Sequence, residues 1–401
     1  MHAPCVVAGG GPAGMMLGLL LARAGVSVLV LEKHADFLRD FRGDTIHPST
    51  LEVMHELGIL DEFLERPHQE VRQLAGRVAG ERVVIADFSH LPTYCKFLAL
   101  MPQWDFLDFL AAQARAYPTF ELRMETEITG LIEESGRVAG VRVKTKGGTE
   151  EIRADLVVGA DGRHSVVREC ARLQIDSFGA PIDVLWMRMS RRPDDPVQAL
   201  GNIQGGHILV MLDRGDYWQC AYVIPKGGFD DLKRRGIEAL RADIASVVPS
   251  MRDRVVELRD WSDIKLLTVL VDRLRRWHRP GLLCIGDAAH AMSPIGGVGI
   301  NLAIQDAVAA ANILAGPLAS GRCSDADLER VQRRREWPTR VVQRAQVMIQ
   351  ERVLEPTLRG KGPQQLPWVL RLLRWCPMLG RIPARLVGMG IRPEHVRAGR
   401  T

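Results

Sequence analysis

Two stretches of this chain pass from a short unbroken apolar run, through a glycine-rich break, into a long apolar helix pattern: Cys5–Arg23 and Leu282–Leu314. In the first, Cys5–Ala8 reads as a buried parallel strand and Met15–Arg23 as a helix apolar almost all round. Gly25 then stops the helix and Val26–Leu31 supplies a second strand ending at Glu32, which completes a strand–helix–strand unit. A polar loop follows, and RGDTIHPSTLEVMHELGIL predicts a helix with Leu51, Met54 and Leu57 on one face. Gly58 ends that helix, and Ser49 with Glu52 is expected to form a capping box at its start. Leu74–Val78 and Arg82–Ala86 alternate like strands, Phe106–Ala116 has a helical stripe, and Glu121–Val157 reads as a β-meander with turns at Ser135-Gly136 and Gly147-Gly148.

Beyond residue 180 the pattern changes. Val184–Met189, His207–Leu212 and Tyr217–Ile224 are strand-like and precede a helical segment, Ile237–Val248, so an antiparallel unit is expected inside the first one. Residues 324–401 read as helical and basic, interrupted by Pro338, Pro367, Pro377 and Pro383.

Composition narrows the class. A chain of 401 residues that is 46% apolar and 25% charged has room for two domains and a sizeable core. The seven cysteines include no CxxC pair, which argues against a disulfide scaffold or a zinc site and for a reducing, cytoplasmic location. Residues 2–22 lack acidic and strongly basic side chains, but five glycines and two prolines interrupt them, so neither a signal peptide nor a membrane span is expected. The net charge of +5 is uneven: from Arg330 onward 16 Arg and Lys face 4 Asp and Glu, a local +12 that leaves the first 329 residues at −7. A solvated tail, an anionic partner or a membrane surface would each suit that excess. No nucleic-acid reading motif accompanies it.

Gly9, Gly11 and Gly14 stand in the spacing GxGxxG between the first strand and helix. Such glycines permit the tight turn, the approach of backbone N–H groups to a pyrophosphate, and close helix–sheet packing. Glu32, 18 residues past Gly14, sits where a carboxylate can accept hydrogen bonds from ribose hydroxyls. Near the other apolar helix, Gly296, Gly297 and Gly299 precede a helix start near Ile300, whose dipole would stabilise negative charge.

GGGPAG with Glu32, VVGADGRHSVVR (Val157–Arg168) and CIGDAAHAMSPIGGVGINLAIQDA (Cys284–Ala307) together resemble the flavoprotein monooxygenases of the para-hydroxybenzoate hydroxylase type, up to about residue 340. The resemblance implies an α/β fold: a Rossmann-like FAD-binding domain (1–72, 97–179, 270–330), an inserted antiparallel-sheet substrate domain (73–96, 180–269), and a basic helical region (331–401). It implies non-covalent FAD held by Gly9, Gly11, Gly14 and Glu32, with Arg42 at the pyrophosphate and Gln103 on the ribityl chain. Asp161 and Gly162 match a motif linked to FAD and to transient NADPH or NADH binding, and Asp287 matches the acid at the ribityl–phosphate end. Gly296, Gly297 and Gly299 would face the flavin N1–C2=O edge, and Pro294 would keep the wall short enough for oxygen and substrate. The implied reaction is hydroxylation of an aromatic, heteroaromatic or similarly electron-rich small molecule with NAD(P)H and O₂, through a C4a-hydroperoxyflavin.

Individual side chains carry less. His47 is either a base for a phenolic substrate or a helix-entry residue beside Pro48, and His290 is expected to be structural. Tyr217, Tyr222 and His207 lie on the candidate substrate sheet, where alternation lets only some face a pocket, and Met187 and Met189 read as core or lining. No metal site is expected. A flavin halogenase would show WxWxIP where this chain has Cys220–Pro225 without either tryptophan. A reductase of prenyl chains would use a similar FAD cradle without O₂, and a flavin redox protein would use one without turnover. Trp368, Leu372, Trp375, Leu379, Ile382 and Leu386 recur at helical spacing with Arg371, Arg374, Arg381 and Arg385 to one side. That segment, 368–391, either touches a membrane or packs on its own protein.

Overall fold

The N-terminal apolar run becomes an interior strand of the larger sheet. In this computed structural model, residues 2–38, 45–195, 201–361 and 367–397 are described. β1 (His2–Ala8) leads through Gly9–Gly11 into α1 (Pro12–Arg23), which begins on a proline that has no N–H to leave unpaired. β2 (Val28–Leu31) lies parallel to β1, with Val6 opposite Leu29. α2 (Pro48–Leu57) is capped by the extended His47 and ends on Gly58 in the left-handed region, at φ +74°. The expected capping box is absent. Ser49 sits inside the helix and donates to Asn301, while Glu52 accepts the Tyr94 N–H, because Pro48 at the first helical position moves the start two residues earlier.

β3 (Gln73–Val78) and β4 (Glu81–Asp87) form a hairpin. α3 (Gln103–Arg115) then returns the chain to the larger sheet. Here the expected meander needs correcting. β5 (Phe120–Arg123) is separated from β6 (Glu127–Glu134) by Glu125 at φ +52°, and pairs parallel with β2 at the sheet edge. A strand arriving after a helical crossover comes back parallel, so the meander begins only at β6. It continues through β7 (Arg137–Thr145) and β8 (Gly148–Gly159). The first half of β8 pairs antiparallel with β7, and its second half parallel with β1.

The smaller sheet takes β9 (Ile182–Ser190), β10 (Gly201–Gln204), β11 (His207–Asp213) and β12 (Tyr217–Pro225). α4 (Ile237–Val247) covers one face, and β13 (Lys265–Leu267) closes the order β13-β9-β12-β11-β10-β3-β4. Side chains alternate across it. Leu185, Met187, Met189, Cys220 and Tyr222 cluster with Leu240 and Ile244 of α4, so both methionines are core. Val184, Ile208, Ala221 and Val223 form the other face with Leu354 and Leu358.

The chain re-enters the larger sheet with β14 (His278–Arg279) and β15 (Leu282–Cys284), giving the order β14-β15-β8-β1-β2-β5 with β7 and β6 attached through β8. α5 (Gly299–Ala319) packs against α1. It belongs to the one helical stretch among the described residues, Ile295–Ala319, with the length and mean hydropathy (1.4) of a bilayer span, but 83% of its most apolar window is buried in the protein. α6 (Asp325–Ile349) runs along α5, and α7 (Trp368–Trp375) and α8 (Arg381–Gly388) lie against β4.

Candidate functional site

The turn after β1 is shaped by close approaches that only glycine allows. Gly9 has φ +101°, and a Cβ there would lie 2.6 Å from the Ala160 carbonyl oxygen; at Gly14 it would lie 2.0 Å from the Gly9 carbonyl oxygen. Gly11 differs. A Cβ on it would meet nothing within 4 Å, so that side of the turn is open. No side chain caps the start of α1. Its first-turn N–H groups are thus unclaimed by a side-chain cap, which is the chemistry of an anion cradle.

Glu32 closes the turn from the end of β2. Its carboxylate accepts the Gly10 N–H at 2.9 Å and the His34 N–H at 3.1 Å. The His34 ring Nδ1 also stands 3.4 Å from this carboxylate.

The second motif lies directly against the first, since Ala160 N–H bonds the Ala8 carbonyl. Asp161 takes the Ser165 hydroxyl at 2.5 Å and the Val167 N–H at 3.1 Å, and Gly162 turns at φ +85°. Burial pushes the Asp161 carboxyl up, against the pull of those two donors. Arg163 reaches Asp287 at 3.4 Å, and the buried Arg168 bonds the Ala288 carbonyl and Asp272 at 3.5 Å each. The third motif closes the triangle. A Cβ on Gly286 (φ +58°) would sit 3.1 Å from the Ala13 methyl at the start of α1.

A second glycine turn opens at Pro294, with Gly296 at φ +77° and Gly297 at φ +63°. α5 starts behind it, again without a side-chain cap. Unlike the first turn, this one is held by distant residues. Gln346 of α6 donates to the Ser293 and Ile295 carbonyls and accepts the Ser293 N–H, while Gln350 donates to the Ser293 hydroxyl at 2.8 Å. On the other side His47 lies fully buried with Nε2 3.3 Å from the Gly296 carbonyl, and a Cβ on Gly297 would lie 2.9 Å from the Thr45 hydroxyl oxygen. Burial lowers the His47 pKa to about 4, and hydrogen bonding to the Gly296 and Thr45 backbone only partly opposes it. The ring is thus neutral at ordinary pH, with Nε2–H donating to Gly296.

His290 is likewise buried and bonds Asp306 at 2.6 Å, and Asp306 also binds Arg335 and the Gly286 N–H at 3.0 Å. Burial alone would raise the Asp306 carboxyl; the His290 and Arg335 charges overcome it and hold it below the usual carboxylate range. Gln103 stands half-buried at the start of α3, and its side chain makes no hydrogen bond to another described residue. Arg42 lies outside the described residues. Tyr222 lies on the face covered by α4, its hydroxyl toward His207 (2.6 Å) and Asp243 (3.3 Å), whereas Tyr217 stacks with Arg188 on the other face.

The scaffold residues Arg163, Arg168, Gln346 and Gln350 are not picked out by the sequence reading. A signal for α6 existed: Gln332, Arg335, Thr339, Gln343, Gln346 and Gln350 recur every three or four residues, and all are buried. A polar stripe at helical spacing is easily read as a solvated face.

A family model described as an FAD binding domain matches residues 2–345. The chain is 36% identical over 360 residues to 6-methylpretetramide 4-monooxygenase of Streptomyces rimosus, covering 89% of this chain and 86% of that one. It is 24% identical over 325 residues to para-nitrophenol 4-monooxygenase of Pseudomonas sp. strain WBC-3, covering 79% and 78%. Among solved structures, the anhydrotetracycline hydroxylase OxyS of Streptomyces rimosus superposes with a TM-score of 0.76 at 25% identity, over 97% of this chain and 76% of that one.

Proposed function

We infer the reaction from one premise: the chain belongs to the FAD-binding domain family and is an FAD-dependent monooxygenase that hydroxylates aromatic compounds. The finer reading is that NADPH or NADH donates the electrons and that the substrate is a phenolic polycycle. The single observation carrying the substrate class is the 36% identity, over most of both chains, to 6-methylpretetramide 4-monooxygenase. Halogenase and reductase readings find no counterpart among the relatives described above.

Gly9, Gly11, Gly14 and the uncapped α1 terminus would hold the pyrophosphate, and Glu32 the adenosine ribose. The open space at Gly11 and the missing cap fit that group. Asp287, Gln103 and Arg42 would reach the ribityl and phosphate parts, and Gly162 would leave room for the nicotinamide donor. FAD, when bound, supplies the redox chemistry, taking two electrons from NAD(P)H and using O₂ to place one oxygen atom on the substrate while the other leaves as water.

The protein's own part is to bind, orient and keep the site dry. The uncapped start of α5 would stabilise negative charge beside Gly296, Gly297 and Gly299, with Pro294 limiting the wall. His47 serves as a positioning residue. A ring whose conjugate acid has a pKa of about 4 is a poor acceptor for a phenol's proton, but it fixes the Gly296 carbonyl. The apolar face bearing Val184, Ala221 and Val223 would wall the substrate. It packs on Leu354 and Leu358, one turn beyond the glutamines that hold the second glycine turn. A cytoplasmic location agrees with the seven free thiols. Purified protein should contain FAD and oxidise NAD(P)H faster when given a phenolic polycycle. Oxidation that no such compound accelerates would remove the substrate proposal.

A further inference from the structure

The surface made by α7, the turn Pro377–Gly380 and α8 is apolar where it should face water. Trp375 is 85% exposed, Trp368 71% and Ile382 61%, and Leu372, Met378 and Leu386 are exposed with them. Single exposed apolar side chains are ordinary; six on consecutive short helices form a patch. The inner faces are already occupied. Leu370 packs on Val78 and Val83, while Ala384 and Val387 pack with Ala86, Phe88 and Leu91. These helices therefore carry apolar side chains on both sides.

Charge indicates what covers the outer side. Arg371, Arg374, Arg381 and Arg385 are all exposed, and the sequence has no acidic residue between Glu355 and Glu394. Arg374 bonds Glu81, and Arg381 meets His90 at 3.4 Å. We propose that this surface binds the anionic face of a lipid bilayer, with the tryptophans, Leu372, Ile382 and Leu386 in the headgroup–acyl boundary and the arginines on lipid phosphates. Arginine stems lie along apolar surface while their heads reach charge, which lets one patch satisfy both needs. A second copy of this chain fits less well, because a two-fold contact would bring the two sets of arginines together with no acid from the same segment to meet them. Nucleic acid would meet the arginines but leave the aliphatic side chains unburied. The helices lie on β4, the edge strand of the smaller sheet, so docking would bring that sheet to the membrane surface.

The FAD-loaded full chain, floated with vesicles of phosphatidylcholine and phosphatidylglycerol, should rise with them and stay behind when the vesicles are phosphatidylcholine alone. The pair Trp375→Asp and Ile382→Asp should reduce partitioning by about tenfold or more. Arg371→Gln and Arg385→Gln should each reduce it roughly fivefold, and added salt should mimic them. FAD content and Tm should not change in any variant, since all four side chains are exposed. Equal flotation of the Asp pair, or equal binding to neutral vesicles, overturns the proposal. So does a dimer that the Asp pair dissolves while flotation is absent, or duplex DNA bound in place of vesicles.

Discussion

The two glycine turns of this protein do similar work and are built in opposite ways. The turn at Gly9–Gly14 is held by backbone: a Cβ at Gly14 would meet the turn's own Gly9 carbonyl, one at Gly9 would meet the Ala160 backbone just past β8, and the Glu32 carboxylate at the end of the next strand takes the Gly10 N–H. The turn at Pro294–Gly299 is held from outside, by Gln346 and Gln350 on one side and by His47 on the other. Each delivers an uncapped helix start. A turn braced by backbone tolerates side-chain change elsewhere in the chain, whereas one braced by remote polar side chains transmits such changes to the site.

The sharpest way to break this comparison is inside the first turn. Gly14→Val should cost about 3 kcal/mol or more, because its Cβ alone would overlap the Gly9 carbonyl at 2.0 Å. Gly11→Val should keep Tm of the FAD-free protein near wild type, as its Cβ meets nothing, while FAD content falls away. Thermal unfolding with and without FAD separates the two. Full FAD occupancy in Gly11→Val would show that the open side is not the cradle.

For the second turn, Gln346→Leu strips partners from the Ser293 N–H and from the Ser293 and Ile295 carbonyls, at about 1–3 kcal/mol in stability. It should also release more hydrogen peroxide per NAD(P)H consumed. Gln332→Leu is the control: it leaves the Trp277 N–H and Arg275 carbonyl unpaired, away from the turn, and should lose stability without added peroxide. Equal peroxide from both variants would mean that the remote bracing does not reach the site.

Glu32→Ala should weaken FAD binding by about 1.5–3 kcal/mol, the range for hydrogen bonds to a charged group. Because Glu32 also holds Gly10 and His34, the FAD-free protein should lose some stability as well. Unchanged FAD affinity would move the ribose contact elsewhere.

The smallest effect is a slope. His47 is held near pKa 4 in the folded chain, against about 6.5 when unfolded, so the unfolded state takes up the proton first as pH falls. Stability contributed by the neutral ring is complete above pH 6.5 and declines below it, by at most about 1.4 kcal/mol per pH unit until the folded ring titrates. His278 is also lowered by burial, but it titrates in both proteins and cancels. His47→Gln should therefore show a flatter loss of stability between about pH 6.5 and 5 than wild type. Parallel curves would place a charged His47 in the folded protein.

The same contrast explains what the sequence disclosed. The first turn was legible because its signals are local in sequence: glycine spacing, flanking apolar runs and a terminal acid. Most strands of both sheets were legible from apolar runs or alternation; the short β10, β13 and β14 were not, nor was the parallel pairing of β5, which depends on the helix before it. The second turn could be located from Gly296, Gly297 and Gly299, but its support could not. His47 and Gly296 are 249 residues apart, and Gln346 is a polar residue on a helix rich in arginine. The capping box failed for a related reason. Ser49 had a partner on α5 that no local pattern reveals, and Pro48 took the helix start.

The central claim, that this cradle supports oxygen insertion, meets its most direct test in isotope labelling. FAD-loaded protein given NAD(P)H, a phenolic polycycle and ¹⁸O₂ should yield a product carrying one labelled oxygen, with NAD(P)H oxidation accelerated by that compound. A product formed equally well without oxygen, or labelled only from H₂¹⁸O, would contradict it.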